Sequence, residues 1–139
     1  MAKTFTAPFA QSPKTLSALV TAALGGLGTT TVTGAVLVTT AGADGAVLSK
    51  LTAMPRTSTT ATGLMLFLVK ASAPTLYQPV DSALMNAYTT STTTLTPLTI
   101  FEKITRDTPI VLEAGDKLYV GAQVAIATGI VFYAEWMDY

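Results

Sequence analysis

The groups in this chain that could do chemistry are eight carboxylates, eight cations and many hydroxyls, because the sequence contains neither histidine nor cysteine. Histidine carries most acid–base catalysis near neutral pH, and cysteine and histidine supply most zinc ligands. The spacing closest to a metal site is Glu113-Ala114-Gly115-Asp116, where two carboxylates bracket a turn. Two carboxylates are too few ligands for calcium. We therefore expect no metal and a solvated turn, with Lys117 and Arg106 as possible partners.

Other spacings also fall short of a catalytic arrangement. Asp81-Ser82-Ala83 lacks the glycine of an aspartic-protease loop, and no second copy exists that would complete a carboxylate dyad. Ser49 and Lys50 are neighbours, so on a strand their side chains point to opposite faces. The glycine-rich segment Gly25-Gly26-Leu27-Gly28 lacks the lysine that contacts phosphates. We predict that the protein is not an enzyme, has no catalytic residue and binds no cofactor.

The composition indicates what kind of surface the protein has and which classes of partner it can bind. Apolar residues make up 50% of the chain, charged residues only 12%, and the formal net charge is zero. Nucleic-acid binding needs several cations that face phosphates, so we expect no nucleic-acid partner. A neutral surface with few charges favours association. Threonine, with its branched Cβ and hydroxyl, suits a half-exposed sheet. The composition therefore indicates a β-rich subunit of an assembly.

The charge-free stretch from Thr15 to Ala43 raises the question of a membrane segment. Its longest apolar run, Ala18 to Leu24, is broken by Thr21 and followed by two glycines, which is far short of the ~20 apolar residues of a spanning helix. Aromatic residues and prolines separate this run from the charged N-terminal end, unlike in a secretory leader. We expect no membrane partner.

The chain divides into an extended N-terminal arm, residues 1–14, and a single β-sandwich domain, residues 15–139. The arm shows no periodicity and contains two prolines, which favour extended backbone. Phe5, Pro8 and Phe9 would dock on a neighbouring subunit or on the parent domain. The alternative is an ordinary first strand within the chain's own sheet.

Several segments predict strands and turns. Residues 35–40 and 46–53 are β-branched apolar runs joined by a glycine-containing loop, which predicts a hairpin. Residues 110–112 and 118–124, joined by the turn at 113–116, predict a second hairpin-like unit. Residues 129–137 form the final strand. Its core face is predicted to carry Ile130, Phe132, Ala134 and Trp136.

Four further segments are less regular. Residues 16–24 fit a strand or a short helix, and the flanking threonines favour the strand. Residues 81–85 could start a helical turn capped by the aspartate. Residues 89–96 fit a linker, an edge strand or a long loop, and residues 98–104 predict a strand. With turn signals every ten to fifteen residues, the whole pattern predicts an all-β, antiparallel β-sandwich of jelly-roll type.

The strand from Gly63 to Lys70 is apolar on both faces. In a sandwich only one face of a strand meets the domain core, so the second face needs a cover. A loop of the same chain or another subunit could supply it. The candidate interaction residues are therefore those of the arm and of this second face: Phe5, Pro8, Phe9, Met65, Phe67 and Val69.

Three blocks carry a family resemblance. Residues 3–11 (KTFTAPFAQ), 51–56 (LTAMPR) and 113–121 (EAGDKLYVG) resemble small proteins encoded in the virion gene clusters of tailed bacteriophages and prophages. The resemblance implies a capsid decoration, or cement, protein that is made in the host cytoplasm and sits on the capsid surface of the virion. It further implies a homo-oligomer, a trimer, whose partner is the major capsid protein.

A second resemblance leaves an alternative open. The run from Leu112 to Tyr119 is also similar to the turn-strand unit of trimeric jelly rolls in fibres and spikes, which implies an adhesin that binds a host surface glycan. The tyrosines and the single tryptophan could then form a sugar platform. Because Trp136 lies on the predicted core face, we expect a buried ring instead, and we expect exposure only for Tyr139.

Overall fold

The structure, a computed structural model, describes residues 12–139. These residues contain nine β-strands and no helix. The arm residues Phe5, Pro8 and Phe9 lie outside the described residues. The strands are β1 (Ser12–Val20), β2 (Val36–Thr40), β3 (Ala46–Pro55), β4 (Thr62–Val69), β5 (Gln78–Met85), β6 (Thr99–Ile100), β7 (Ile110–Leu112), β8 (Lys117–Ala122) and β9 (Ile130–Asp138).

The strands form two antiparallel sheets that pack face to face. Sheet A has the order β1-β9-β3, and both β6 and β7 pair with the free side of β3. Sheet B has the order β2-β8-β4-β5. The antiparallel β-sandwich predicted from the sequence is confirmed.

The core lies between the inner faces of the two sheets. The predicted core face of β9 is confirmed, because its four alternating side chains are all buried. From sheet B, Leu64 and Leu66 of β4 and Leu118 and Val120 of β8 join the same cluster. Two-residue periodicity places these side chains on one face.

Both predicted hairpins are wrong. Strands β2 and β3 belong to different sheets, and so do β7 and β8. The loops at 41–45 and 113–116 are therefore crossovers from one sheet to the other, stacked on each other through Ala41 N–H to Asp116 O (2.8 Å) and Gly115 N–H to Ala41 O (3.2 Å). Glycine permits the positive φ of 77° at Gly115 in either kind of turn, so the turn residues did not distinguish a hairpin from a crossover.

The less regular segments follow the sequence in part. The strand interpretation of residues 16–24 is confirmed as far as Val20, and β1 already begins at Ser12, so residues 12–14 of the predicted arm belong to the sheet. The helical turn predicted at 81–85 is wrong, because these residues lie in β5. Residues 89–96 form a loop, and of the strand predicted at 98–104 only Thr99–Ile100 is present.

Candidate interaction surfaces

The chain itself covers the centre of the outer face of sheet B, whereas Leu37 and Leu84 on its two edge strands stay exposed. Phe67 on β4 is paired with Tyr119 on β8, and Tyr77, from the loop that follows β4, lies over both rings. The ring centroid of Tyr77 is 4.9 Å from that of Tyr119 and 6.4 Å from that of Phe67, the latter edge to face. Burial, and then the hydrogen bond with Tyr119, raises the pKa of Tyr77. The ring therefore acts as a lid on Phe67.

A second segment completes this cover. Leu24 lies over Gly121 of β8, where a methyl group would overlap with the leucine side chain. The absence of a side chain at this position lets Leu24 pack close to the strand. The two covering segments are bonded to each other, because Tyr77 N–H donates to Thr30 O (2.8 Å) and Thr31 Oγ1 donates to Thr75 O (3.0 Å).

The structure decides which of the two expected covers protects the second face of β4. Phe67 is 1% exposed and Val69 is 2% exposed within the single chain. Met65 is half-buried, and Gln123 Nε2 lies 3.4 Å from its sulfur. The cover is a loop of the same chain. Of the three predicted interaction residues on this strand, only Met65 retains accessible surface.

Asp116 anchors the loop that carries this cover. Its buried carboxylate accepts hydrogen bonds from Lys70 Nζ (2.7 Å), Ala71 N–H (3.1 Å) and Glu113 N–H (3.0 Å). Burial favours the neutral carboxyl, but the hydrogen bonds outweigh it and lower the pKa of Asp116. The prediction of a solvated turn paired with Lys117 or Arg106 is therefore wrong for Asp116, whose partner, Lys70, lies 46 residues earlier in the chain.

The outer face of sheet A, in contrast, is uncovered within the described chain. Cross-strand pairing places Leu19, Val131 and Met54 in one row on this face, and Val47, Met137 and Val111 in another. The exposed fractions are 46% for Leu19 and 39% for Met54. Exposed apolar residues on this face, from four strands and the short β6, are Leu19, Met54, Ile100, Val111 and Met137.

One ion pair interrupts this apolar face. Lys50 Nζ lies 3.4 Å from Glu135 Oε2, and the same ammonium lies 5.8 Å from the ring centroid of Tyr133. Burial, and after it the hydrogen bond with Glu135, raises the pKa of Tyr133. The two charges compensate each other, so the face as a whole carries no net charge.

A cleft of about 400 Å³ lies between β5, an edge strand of sheet B, and β6, an edge strand of sheet A. Asp81, Glu102 and Lys103 line it together with the exposed side chains of Leu84, Leu98 and Ile100. One oxygen of Asp81, Oδ2, is buried and accepts no hydrogen bond from the described residues. No sequence pattern indicated this cleft, because its two walls, residues 81–86 and 97–103, come from separate segments of the chain.

The described residues, 12–139, contain no group of three or more side chains suited to hold a metal ion. Trp136 is 9% exposed and Tyr139 is 41% exposed, as expected. No helix of these residues is long and apolar enough to cross a membrane.

Comparisons with known proteins add no identification: no protein-family model matches the chain, and neither a curated protein nor a solved structure matches it. The function is therefore inferred from the surfaces together with the resemblance of the sequence.

Proposed function

We propose that this chain is a non-enzymatic structural protein of a bacteriophage virion, a capsid decoration protein that binds and stabilises the shell of the major capsid protein as a homo-oligomer. The outer face of sheet A carries this proposal. It is apolar, uncovered and electrically neutral, whereas the centre of the outer face of sheet B is covered by the chain itself. Large exposed apolar patches on a folded chain mark interaction sites.

The size of this face suits many weak contacts rather than one strong contact. Four strands at about 4.8 Å spacing and nine residues at about 3.3 Å rise give an area on the order of 600 Å². This is somewhat less than the ~800 Å² that each partner buries in a stable interface of standard size. An oligomer that presents several such faces to a repeating shell gains strength through multivalency.

The topology is compatible with the jelly-roll form of the sandwich, which we also propose. The chain alternates between the sheets at β1, β2 and β3 and again at β7, β8 and β9. Each sheet thereby combines strands from both halves of the chain, as two interlocked Greek keys require.

Binding to the shell can be tested with capsids assembled without this protein. We expect the purified chain to cosediment with such shells to a saturating, regular occupancy. Met54→Glu places a charge on the outer face of sheet A and should reduce occupancy at least tenfold. Leu37→Glu is the control, since Leu37 is 42% exposed but lies on sheet B. Equal binding by the two variants, or no binding by the folded wild type, contradicts the proposal.

The N-terminal arm supplies a second contact in this proposal. Phe5, Pro8 and Phe9 remain the predicted docking residues. A chain that begins at Ser12 keeps all of β1, so it should retain its fold and its oligomeric state. We expect it to occupy fewer sites on the shell. Unchanged occupancy would remove the arm from the proposal without affecting the role of sheet A.

A further inference from the structure

The first half of β1 lies at the edge of sheet A and has one unpaired side. Residues Ser12–Ser17 pair with β9 on one side, and every side chain in this segment is exposed. Lys14 and Leu16 are opposite Trp136 and Ala134, so they lie on the inner side of sheet A. Leu16 is nevertheless 37% exposed, because nothing in the described part of sheet B covers this end of β1. An edge strand of this kind is a template for association.

The cleft between β5 and β6 has the complementary chemistry. Its apolar wall includes Leu98 and Ile100, which are 49% and 51% exposed. Its polar wall includes Asp81, whose Oδ1 accepts the Ser82 N–H (2.8 Å) while the buried Oδ2 has no donor among the described residues. A buried carboxylate oxygen without a hydrogen bond is unfavourable, so the site is suited to a cationic donor.

We propose that residues Ser12–Ser17 of one copy bind in the β5–β6 cleft of the next copy. Lys14 and Leu16 project from the same side of the strand, about 6.8 Å apart along it. The ammonium of Lys14 then donates to Asp81 of the next copy, and Leu16 packs against Leu98 and Ile100 of that copy. This inference rests on the homo-oligomer part of the proposed function and names its interface.

The positions of strand and cleft determine the symmetry of the association. In sheet A, β1 is one edge and β6 lies at the other, with β9 and β3 between them. A chain therefore cannot place its own β1 in its own cleft. The contact joins two different surfaces, so it is heterologous, and such contacts close into rings when the rotation permits. Three copies is the number that the resemblance implies. Of the outer face of sheet A, only Ile100 on β6 takes part in this contact. The rest of that face, including Leu19, Met54 and Met137, remains accessible to the shell.

Mixing two variants tests the head-to-tail geometry. Leu16→Glu disables the strand side, and Ile100→Glu disables the cleft side. Both positions are exposed, so each variant should fold, which the fluorescence of buried Trp136 verifies. Native mass spectrometry should show a ring for the wild type and monomers of 14.4 kDa for each variant alone. An equimolar mixture retains one intact strand and one intact cleft, so it should form one-to-one dimers and no ring.

Three outcomes overturn the inference: a wild type that is monomeric at millimolar concentration, either variant still forming the ring, or a mixture that stays monomeric. Leu37→Glu is the matched control and should leave the ring unchanged. If an unrelated peptide or the chain's own N-terminal arm occupies the cleft, the wild type will be monomeric or the mixture will contain no dimers.

A charge exchange tests the ion pair separately. Lys14→Asp and Asp81→Lys should each raise the dissociation constant of the ring about tenfold or more, and the double variant should recover most of this loss. Failure of the double variant to recover, with both single variants folded and weakened, contradicts the pairing of Lys14 with Asp81. Loss of shell binding by an intact ring would instead contradict the proposed decoration function.

Discussion

The centres of the two outer faces of the sandwich are built from similar strands, but one is buried within the chain and the other is exposed. On sheet B, Phe67 and Val69 are apolar side chains that face away from the core and are buried, with Tyr77 over Phe67. On sheet A, Met54, Leu19 and Met137 also face away from the core, and no described segment lies over them. The same kind of surface is thus part of the fold on one side and is available for binding on the other.

This difference follows from the lengths and anchors of the connections. The β4–β5 loop is tied down by Lys70 and Ala71, both bonded to the Asp116 carboxylate, and so it returns across sheet B. On sheet A, Leu19 of β1 and Met54 of β3 stay exposed, so no described connection of these strands covers them. Substitutions that remove side chains from the covered face should therefore destabilise the chain, and matched substitutions on the uncovered face should not.

The largest effect is expected from Phe67→Ala. This change leaves a cavity under Tyr77 and should lower the free energy of unfolding by about 3–5 kcal/mol. Met54→Ala is the matched change on sheet A and should cost less than about 1 kcal/mol, since Met54 is 39% exposed. Urea denaturation of both variants at one protein concentration measures the difference. Equal losses would show that the two faces are buried alike.

A smaller loss is expected from Asp116→Asn, which weakens the anchor of the covering loop. Two hydrogen bonds to a buried charge are lost or weakened, so unfolding should become easier by about 2–3 kcal/mol near neutral pH. Asp107→Asn, at an exposed carboxylate, should have little effect.

The pH dependence of this difference has a definite sign. Because the pKa of Asp116 is lowered in the folded state, its stabilising contribution is fully present above the pKa of the unfolded carboxyl. It is lost as pH falls through the lower folded-state pKa. Thermal unfolding of wild type and variant between about pH 6 and pH 2 should therefore show two curves that converge toward acid. Curves that stay parallel would contradict the anchoring role of the charge.

Gly121→Ala should have a moderate effect on the same cover. The added methyl group displaces the flexible Leu24 side chain rather than backbone, so we expect a loss of about 1–2 kcal/mol. Gly28→Ala is the control, because no atom lies within 4 Å of the position that a Cβ would take there. Proteolysis of the 21–34 segment should become faster only in the first variant. Equal rates would mean that Leu24 does not hold this segment.

The sequence predicted the layers of this fold better than it predicted their connections. Period-two alternation in residues 130–136 identified the core face, since it depends only on neighbours along one strand. The partner of β2 could not be derived in the same way, because a glycine-containing loop permits both a hairpin and a crossover, and the distant β8 decides between them. Asp116 was wrongly predicted to be solvated for the same reason, because its partner Lys70 is 46 residues away in the chain.

The candidate surfaces show the same limit. The apolar second face of β4 was recognised from the sequence, but its cover depends on where the ring of Tyr77 lies, which alternation does not determine. The uncovered face of sheet A had a signal in β9, whose second set of side chains, Val131, Tyr133 and Glu135, is largely apolar and aromatic. That signal gained meaning only when the register placed Leu19 and Met54 beside Val131.

The smallest effect in this comparison is expected from Glu135→Gln on the uncovered face. The pair with Lys50 is well exposed, with side chains 52% and 34% accessible, so its loss should change the free energy of unfolding by no more than about 0.5 kcal/mol. The pKa of Tyr133 provides a more sensitive measurement. Burial raises it first, and the hydrogen bond and charge of Glu135 raise it further.

Neutralising Glu135 should therefore lower the pKa of Tyr133 toward its usual value while leaving stability almost unchanged. Ultraviolet titration of the variant, with Tyr133→Phe to assign the signal, measures this shift. A loss of stability as large as that of Phe67→Ala would mean that the ion pair is enclosed and that the outer face of sheet A is not free to bind. An unchanged titration would mean that Glu135 does not contact the phenol. The combination of a clear pKa shift with unchanged stability is expected only if the polar groups of this face meet each other at an accessible surface.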